Sequence, residues 1–239
     1  MNEQERMRIL SGNDIILNEI KGDYRVFKNL EAIEIIDKYD YLQKAFKYII
    51  TKSKSNHSPY HNLNHLLTVL KYSYQGAKSE KLTSRKEFRE LMIAAIFHDV
   101  DHSAGKKKDD VNVENSKKAI NEFITKEKID VDIDNINKLL DATQYPYVIE
   151  GKDLNLSQSI IRDADLMQVY EYNWIQQNIA GLSEELNLDF ISFLGSQRKF
   201  LENCEFNTSW GKKMKKDNWS NVMRQFKMLE NACNVEIKK

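Results

Sequence analysis

Apolar residues recur at spacings of three and four along nearly the whole chain, the period of helices that bury one face. Ile15, Ile16 and Ile20 form one set, and Phe27, Leu30, Ile33 and Ile36 a second. Leu42, Ala45, Phe46, Ile49 and Ile50 follow, then Leu63, Leu66, Leu67, Leu70 and Tyr74, then Phe88, Leu91, Met92, Ala95 and Ile96. Later sets are Ile120, Phe123 and Ile124; Ile136, Leu139 and Leu140; and a longer run of Ile160, Ile161, Ala164, Val169 and Tyr170. Ile191, Leu194, Phe200 and Leu201, then Val222, Met223, Phe226 and Leu229, close the pattern. No alternation of strand type and no repeat of fixed period accompanies them. The pattern predicts an all-α chain of roughly eight to eleven helices. Loops are expected at Thr51–Pro59, Ser103–Asp110, Tyr145–Asp153 and Asn207–Asp217, where polar residues, Gly or Pro cluster. No linker divides the chain, so 1–239 is expected to form one compact helical bundle, with a helical N-terminal part over 1–50 and the rest over 59–239.

Composition changes this picture little. The chain is 41% hydrophobic and 30% charged, the make-up of a globular protein that dissolves in water. Lys+Arg and Asp+Glu both number 36, so net charge supplies no reason to expect duplex nucleic acid or a membrane surface as partner. The two cysteines, Cys204 and Cys233, show neither zinc-knuckle spacing nor a disulfide framework, which points to a reducing, cytoplasmic compartment. The N-terminus is polar, without the apolar run of a signal peptide, and no stretch approaches the ~20 apolar residues that cross a bilayer.

The histidines carry the chemistry. All five lie in two short clusters, His57-Ser58-Pro59-Tyr60-His61-Asn62-Leu63-Asn64-His65 and His98-Asp99-Val100-Asp101-His102. If the first stretch is helical, His61 and His65 share a face, beside the burying positions Leu66, Val69 and Leu70. The second cluster ends Leu91–Phe97, a run apolar on every side and so a fully buried helix. A buried charge without a partner is costly, so a His-Asp pair ending that helix should bind metal or pair internally. The alternative is a capped helix end with hydrogen-bonded core histidines; for the clusters taken together, the metal reading is favoured. Asp165 falls within the apolar stripe of Ile161, Ala164 and Val169, whereas Asp163 points elsewhere. An inward carboxylate there needs a cation, from bound metal or from an Arg or helix N-terminus.

These pieces, in this order, resemble the signature of the HD superfamily of metal-dependent phosphohydrolases. Tyr60-His61-Asn62 with His65, then His98-Asp99-Val100-Asp101-His102, then Ala164-Asp165-Leu166, are similar to the catalytic domain of cyclic nucleotide phosphodiesterases. With Asn112-Val113-Glu114-Asn115-Ser116 added, they also resemble small bacterial HD phosphohydrolases. The correspondence runs from about Pro59 to the C-terminus. It implies an HD-type bundle in which His65, His98, Asp99 and Asp165 hold a divalent ion and Asp99 bridges to a second. It also implies His61 as general acid and His102 beside the second ion and the phosphate. Tyr60, Asn62 and Glu114, from the same motifs, are carried as substrate-binding residues. Ser196-Gln197-Arg198-Lys199-Phe200 is similar to the phosphodiesterase segment whose glutamine reads the base and whose phenylalanine stacks on it; the alternative is an amphipathic helix with Phe200 in the core.

The implied chemistry is coherent by itself. Divalent ions lower the pKa of a water and neutralise charge developing on a phosphoryl group, and a positioned imidazolium protonates the departing alkoxide. Imidazole and carboxylate donors favour Mn, Mg, Zn or Fe. Lys106, Lys107 and Lys108 either attract a phosphate or form a solvated loop. The expected activity is hydrolysis of a nucleotide phosphoester, foremost a cyclic nucleotide or oligonucleotide signal, with nucleoside monophosphate phosphatase as alternative. Two other classes are weighed: a di-iron oxygenase, against which the absence of any histidine after His102 argues, and a non-catalytic nucleotide-sequestering module, against which intact motifs argue. The expected partner is a small nucleotide; whether the chain forms a homodimer is left open.

Overall fold

Residues 29–233 are described by the computed structural model, and among them there are ten α-helices and no strand. The all-α expectation therefore holds. The predicted set Ile15, Ile16 and Ile20, together with Phe27, lies outside the described residues. The helices are α1 (Leu30–Asp37), α2 (Asp40–Lys52), α3 (Leu63–Ser79), α4 (Arg85–Phe97) and α5 (Asp109–Glu127). They continue with α6 (Ile133–Asp141), α7 (Leu156–Leu166), α8 (Leu182–Glu185), α9 (Phe190–Asn203) and α10 (Ser209–Ala232). Among the described residues, no helix is long and apolar enough to cross a membrane.

The polar residues between the apolar sets act largely as helix caps. Asn62, Ser84, Asp132, Asn155, Asp189 and Thr208 each accept a first-turn backbone N–H, a contact worth about 1 kcal/mol apiece. Helix α3 is central, packing on α1, α4 and α7, and residues 63–73 are buried all round. Gly76 permits this closeness, because a Cβ there would meet Ile160 Cγ2 and the Trp210 ring at 2.9 Å. The main core spans α1–α7 and the start of α10, while Trp174, Ile179, Leu194 and Phe226 centre a second cluster between α9 and α10.

Three predicted boundaries shift. The expected loop Asn207–Asp217 is mostly the first half of α10, which starts at Ser209. The reason is tertiary: Asp163, fully buried on α7, accepts from Asn207 N (2.8 Å), Asn207 Nδ2 (3.0 Å), Thr208 N (2.8 Å) and Thr208 Oγ1 (2.7 Å), seeding the helix at that point. The run through Tyr170 is not one α-helix; it tightens to a 3₁₀ turn over Met167–Tyr170. A π-helical stretch, Ile175–Gly181, leads into α8 where no apolar set was read.

Asp163→Ala is expected to destabilise the fold by about 3 kcal/mol, since it strands buried donors at the head of α10. Urea unfolding monitored by tryptophan fluorescence checks this; a change within experimental error contradicts the capping role.

Candidate metal centre

The site forms where the N-terminus of α3, the C-terminus of α4 and the C-terminal turn of α7 converge. Asn62 caps α3 by accepting from His65 N (3.2 Å), and its Nδ2 donates to Ser58 O (2.9 Å) and Pro59 O (3.2 Å), so the loop before α3 is pinned. His61 thus stands just before the helix rather than on it, a correction to the shared helical face, yet its ring still lies 5.9 Å from that of His65.

Leu91–Phe97 is fully buried, as its composition predicts, and His98 caps the end of α4. The turn beyond is clamped by α5. Ser116 Oγ donates to His98 O (2.7 Å) and Val100 O (3.2 Å), Asn115 Nδ2 donates to Asp101 O (3.1 Å), and Asn112 Oδ1 accepts from Ser103 N (2.9 Å). Asp101 adopts φ +59°, a left-handed conformation that Asp tolerates, and this helps return His102 toward the site.

Four donor atoms meet at the centre. His65 Nε2 lies 3.2 Å from Asp99 Oδ2 and 3.1 Å from Asp165 Oδ1; His98 Nε2 lies 3.1 Å and 3.4 Å from the same two oxygens. The two Nε2 atoms are 3.2 Å apart. Such separations match the edges of a coordination shell whose donors stand about 2.0–2.2 Å from one ion. His98 Nδ1 donates to Ala95 O (2.9 Å), which leaves the Nε2 lone pair for the cluster, an arrangement usual for a ligating imidazole. The donor set therefore fits a divalent ion. Its electrostatics agree. Burial opposes ionisation of Asp165, yet His65 and His98 outweigh it and hold the carboxyl at about 2. Burial likewise opposes charge on Asp99, whose carboxyl His98 and His61 keep well below the usual range. Burial opposes a charged His98 too, but Asp99 and Asp165 raise its pKa well above that of a free imidazole. The cluster demands positive charge, which an ion can supply with release of protons.

A second group adjoins the first through Asp99. His61, Asp99 and His102 each bring one donor atom within 4.8 Å of the others, so this set could hold a second ion. The His61 and His102 rings stack with centroids 3.4 Å apart, and both turn Nδ1 to Glu185. Glu185 Oε1 pairs with His61 Nδ1 and lies 3.4 Å from His102 Nδ1, while Oε2 accepts from Tyr60 N (2.9 Å) and His61 N (3.0 Å). Burial opposes its charge, but His102 and His61 keep its carboxyl well below the usual range. Burial also works against a charged His102, and Asp109 and Glu185 outweigh it, raising that imidazole to about 9. For His61 burial prevails and lowers the pKa, in spite of Asp99 and Glu185.

These groups open onto a pocket of about 490 Å³. Tyr60, His61, Asp99, His102, Asp165, Gln197 and Phe200 all line it, so the structure brings these sequence candidates together. Phe200 is half-buried, packed against the second apolar cluster and lining the pocket at once, and Lys107 of the basic loop also lines the pocket. Two candidates separate from it. Glu114 points to solvent, its side chain 68% exposed and paired with Lys117 at 2.8 Å; α5 turns its neighbours Asn112, Asn115 and Ser116 to the clamp and Glu114 outward. Asn62 is committed to capping α3, to the Ser58 and Pro59 carbonyls and to Gln177, and does not line the pocket. Asp165 is also less enclosed than its apolar stripe implied, with a side chain 23% exposed at the pocket, whereas Asp163 is the fully buried one.

The sequence pattern missed Glu185, Asn178, Tyr145 and Tyr147. Glu185 and Asn178 lie in the stretch 175–185, where Ile175, Ile179 and Leu182 pack toward the second apolar cluster and nothing in their spacing marks the polar residues between them as neighbours of the site. Arg162 helps to place Tyr147: its Nε donates to Ala142 O (2.7 Å), Nη1 donates to Ile149 O (2.8 Å), and its guanidinium lies 4.1 Å from the Tyr147 ring centre. No family model matches this chain, and neither the curated proteins nor the solved structures contain a match.

Proposed function

We propose that this chain is a metal-dependent phosphohydrolase of the HD type that cleaves a nucleotide phosphoester, foremost a phosphodiester. The observation that carries the reading is the meeting of His65, His98, Asp99 and Asp165 in one four-donor cluster beside a pocket that His61 also lines. Divalent ions held there, Mn, Mg, Zn or Fe by donor type, would supply an activated water and neutralise charge on the phosphoryl oxygens.

The chain's own groups then divide the remaining work. Asp99 belongs to both donor sets, so one carboxylate ties them together. His61, tethered through Nδ1 to Glu185, turns Nε2 to within 3.8 Å of Asp99 Oδ2; with that nitrogen free of the second ion, it would protonate the leaving oxygen. Its low proton affinity favours giving that proton up, and an anionic phosphoester against Nε2 favours its being charged beforehand. His102 would add positive charge beside the phosphate when it carries a proton and no ion, and Lys107 stands at the pocket wall. Phe200 and Tyr145 offer aromatic surface for a planar group, their centroids 5.6 Å apart and their rings nearly perpendicular at 88°.

Purified protein given Mn or Mg and a panel of cyclic, linear and mononucleotide substrates is expected to yield a ring-opened or shortened monophosphate without free inorganic phosphate. Inorganic phosphate as the product selects the monophosphatase instead. If no phosphoester is cut with any metal and His98→Ala leaves metal content unchanged, the reading fails.

A further inference from the structure

Two segments distant in the chain meet at the pocket: the stretch that leads from His102 into α5, and the loop that carries Tyr145 and Tyr147. Asp109, the first residue of α5, lines the pocket as well and reaches both. Its two oxygens are divided between them. Oδ2 accepts from Tyr145 N at 2.6 Å, while Oδ1 accepts from Asn112 Nδ2 at 3.2 Å and stands 3.6 Å from His102 Nε2. Asn112 Nδ2 is itself 2.8 Å from His102 Nε2, and Asn112 Oδ1 accepts from Ser103 N (2.9 Å). Carboxylate and amide together therefore fix the imidazole from its Nε2 side.

The contact to Tyr145 has no substitute. Residues 144–148 lie outside any helix, and among the described residues Tyr145 N is the only one of their backbone groups that makes a hydrogen bond. Tyr147 and Phe200 each stand near edge-on to the Tyr145 ring with centroids 5.6 Å away, but ring contacts leave the group free to shift as one body against the metal centre. A hydrogen bond to an ionised acceptor is about twice as strong as a neutral one, so this tie fixes the loop where the rings do not. An acid in the first turn of α5 also suits the helix dipole, yet that benefit requires neither Tyr145 nor His102.

We infer that Asp109 is a positioning residue: it ties the Tyr145 loop to His102, so that the aromatic wall and the imidazole beside the metal centre are held at one spacing. The inference rests on the phosphoester reading for its kinetic consequences, not for the tie itself. With the tie gone, wall and imidazole move independently, and a substrate that touches both is held less firmly and placed less well.

The test compares Asp109→Ala, which removes both contacts, with Asp109→Asn, which keeps an oxygen for Tyr145 N and loses the charge facing His102. Asp109→Ser, too short to reach either partner and well accepted at a helix start, replaces Ala if that variant does not fold. Ala is expected to raise KM about ten-fold and to lower kcat about ten-fold, whereas Asn returns KM to within about two-fold of wild type with kcat still reduced. A readout free of activity uses metal-free protein labelled with fluorotyrosine, the Tyr145 signal being assigned by its loss in Tyr145→Phe. His102→Ala is expected to shift that fluorine signal when Asp109 is present and to leave it in place in the Asp109→Ala background. An equal response in both backgrounds, no response in either, or an Asn variant with the KM of Ala overturns the inference. A wild type that cuts no phosphoester, yet shows the response only through Asp109, removes the hydrolase reading and leaves the positioning role standing. Undiminished hydrolysis in Asp109→Ala removes the positioning role alone.

Discussion

Asp99→Asn is expected to lower kcat/KM for phosphoester hydrolysis by about ten thousand-fold and to empty the metal centre, with the chain still folded. Asp99 Oδ2 stands 3.1 Å from His98 Nε2, 3.2 Å from His65 Nε2 and 3.8 Å from His61 Nε2, so a single oxygen serves both donor groups. The amide keeps the shape and removes the charge. A neutral oxygen cannot hold a divalent ion as a carboxylate does, and the loss falls on both positions together. Two readouts follow. Elemental analysis should find wild type carrying metal and Asp99→Asn largely without it. Added Mn or Zn at about a hundred times its Kd should stabilise wild type by about 2.7 kcal/mol, a rise of roughly 5–10 °C in Tm, and should leave the variant unmoved. Full metal content together with full activity in Asp99→Asn would overturn the proposed centre.

Glu185→Gln is expected to cost about a hundred- to a thousand-fold in kcat on substrates with alkoxide leaving groups, and less than about ten-fold on nitrophenyl phosphodiesters. The carboxylate is fully buried at its side chain, binds His61 through Nδ1, and anchors the backbone of Tyr60 and His61 at 2.9 and 3.0 Å. Gln can still accept those backbone N–H groups, but it cannot stabilise the positive charge that His61 needs when it donates a proton. A nitrophenolate leaves without protonation, so it bypasses this step. The comparison of leaving groups therefore separates proton donation from mere support of the loop. His61→Ala should show the same selectivity with a larger loss. Equal losses on both substrates, for both variants, would make the Glu185–His61 pair structural only.

The two stretches that hold the donors show how much was legible. In Leu91–Phe97 an unbroken apolar run implied complete burial, and every residue of it is buried. Burial then made the adjoining His98 and Asp99 informative, because charge at such a place must be matched. The four-residue spacing of His61 and His65 pointed to a common face; the outcome was kept although the helix begins only at Leu63, since the Asn62 cap folds the preceding loop over the same site. Motif membership was a weaker guide. Asn112, Asn115 and Ser116 clamp the turn after His98, while Glu114, between them, faces water. Periodicity could not make that distinction, because each of these residues is polar.

By itself the sequence determined the helical architecture, since helix burial has a period, and the motif resemblance singled out the four residues that the fold brings into one cluster able to hold a metal ion. Only the tertiary structure decided which distant polar groups complete the site. Glu185 meets His61 across 124 residues, and Asp163 starts α10 from 44 residues away. Such contacts depend on where packed helices bring their ends, and a hydrogen bond across that distance leaves no periodic mark in the chain.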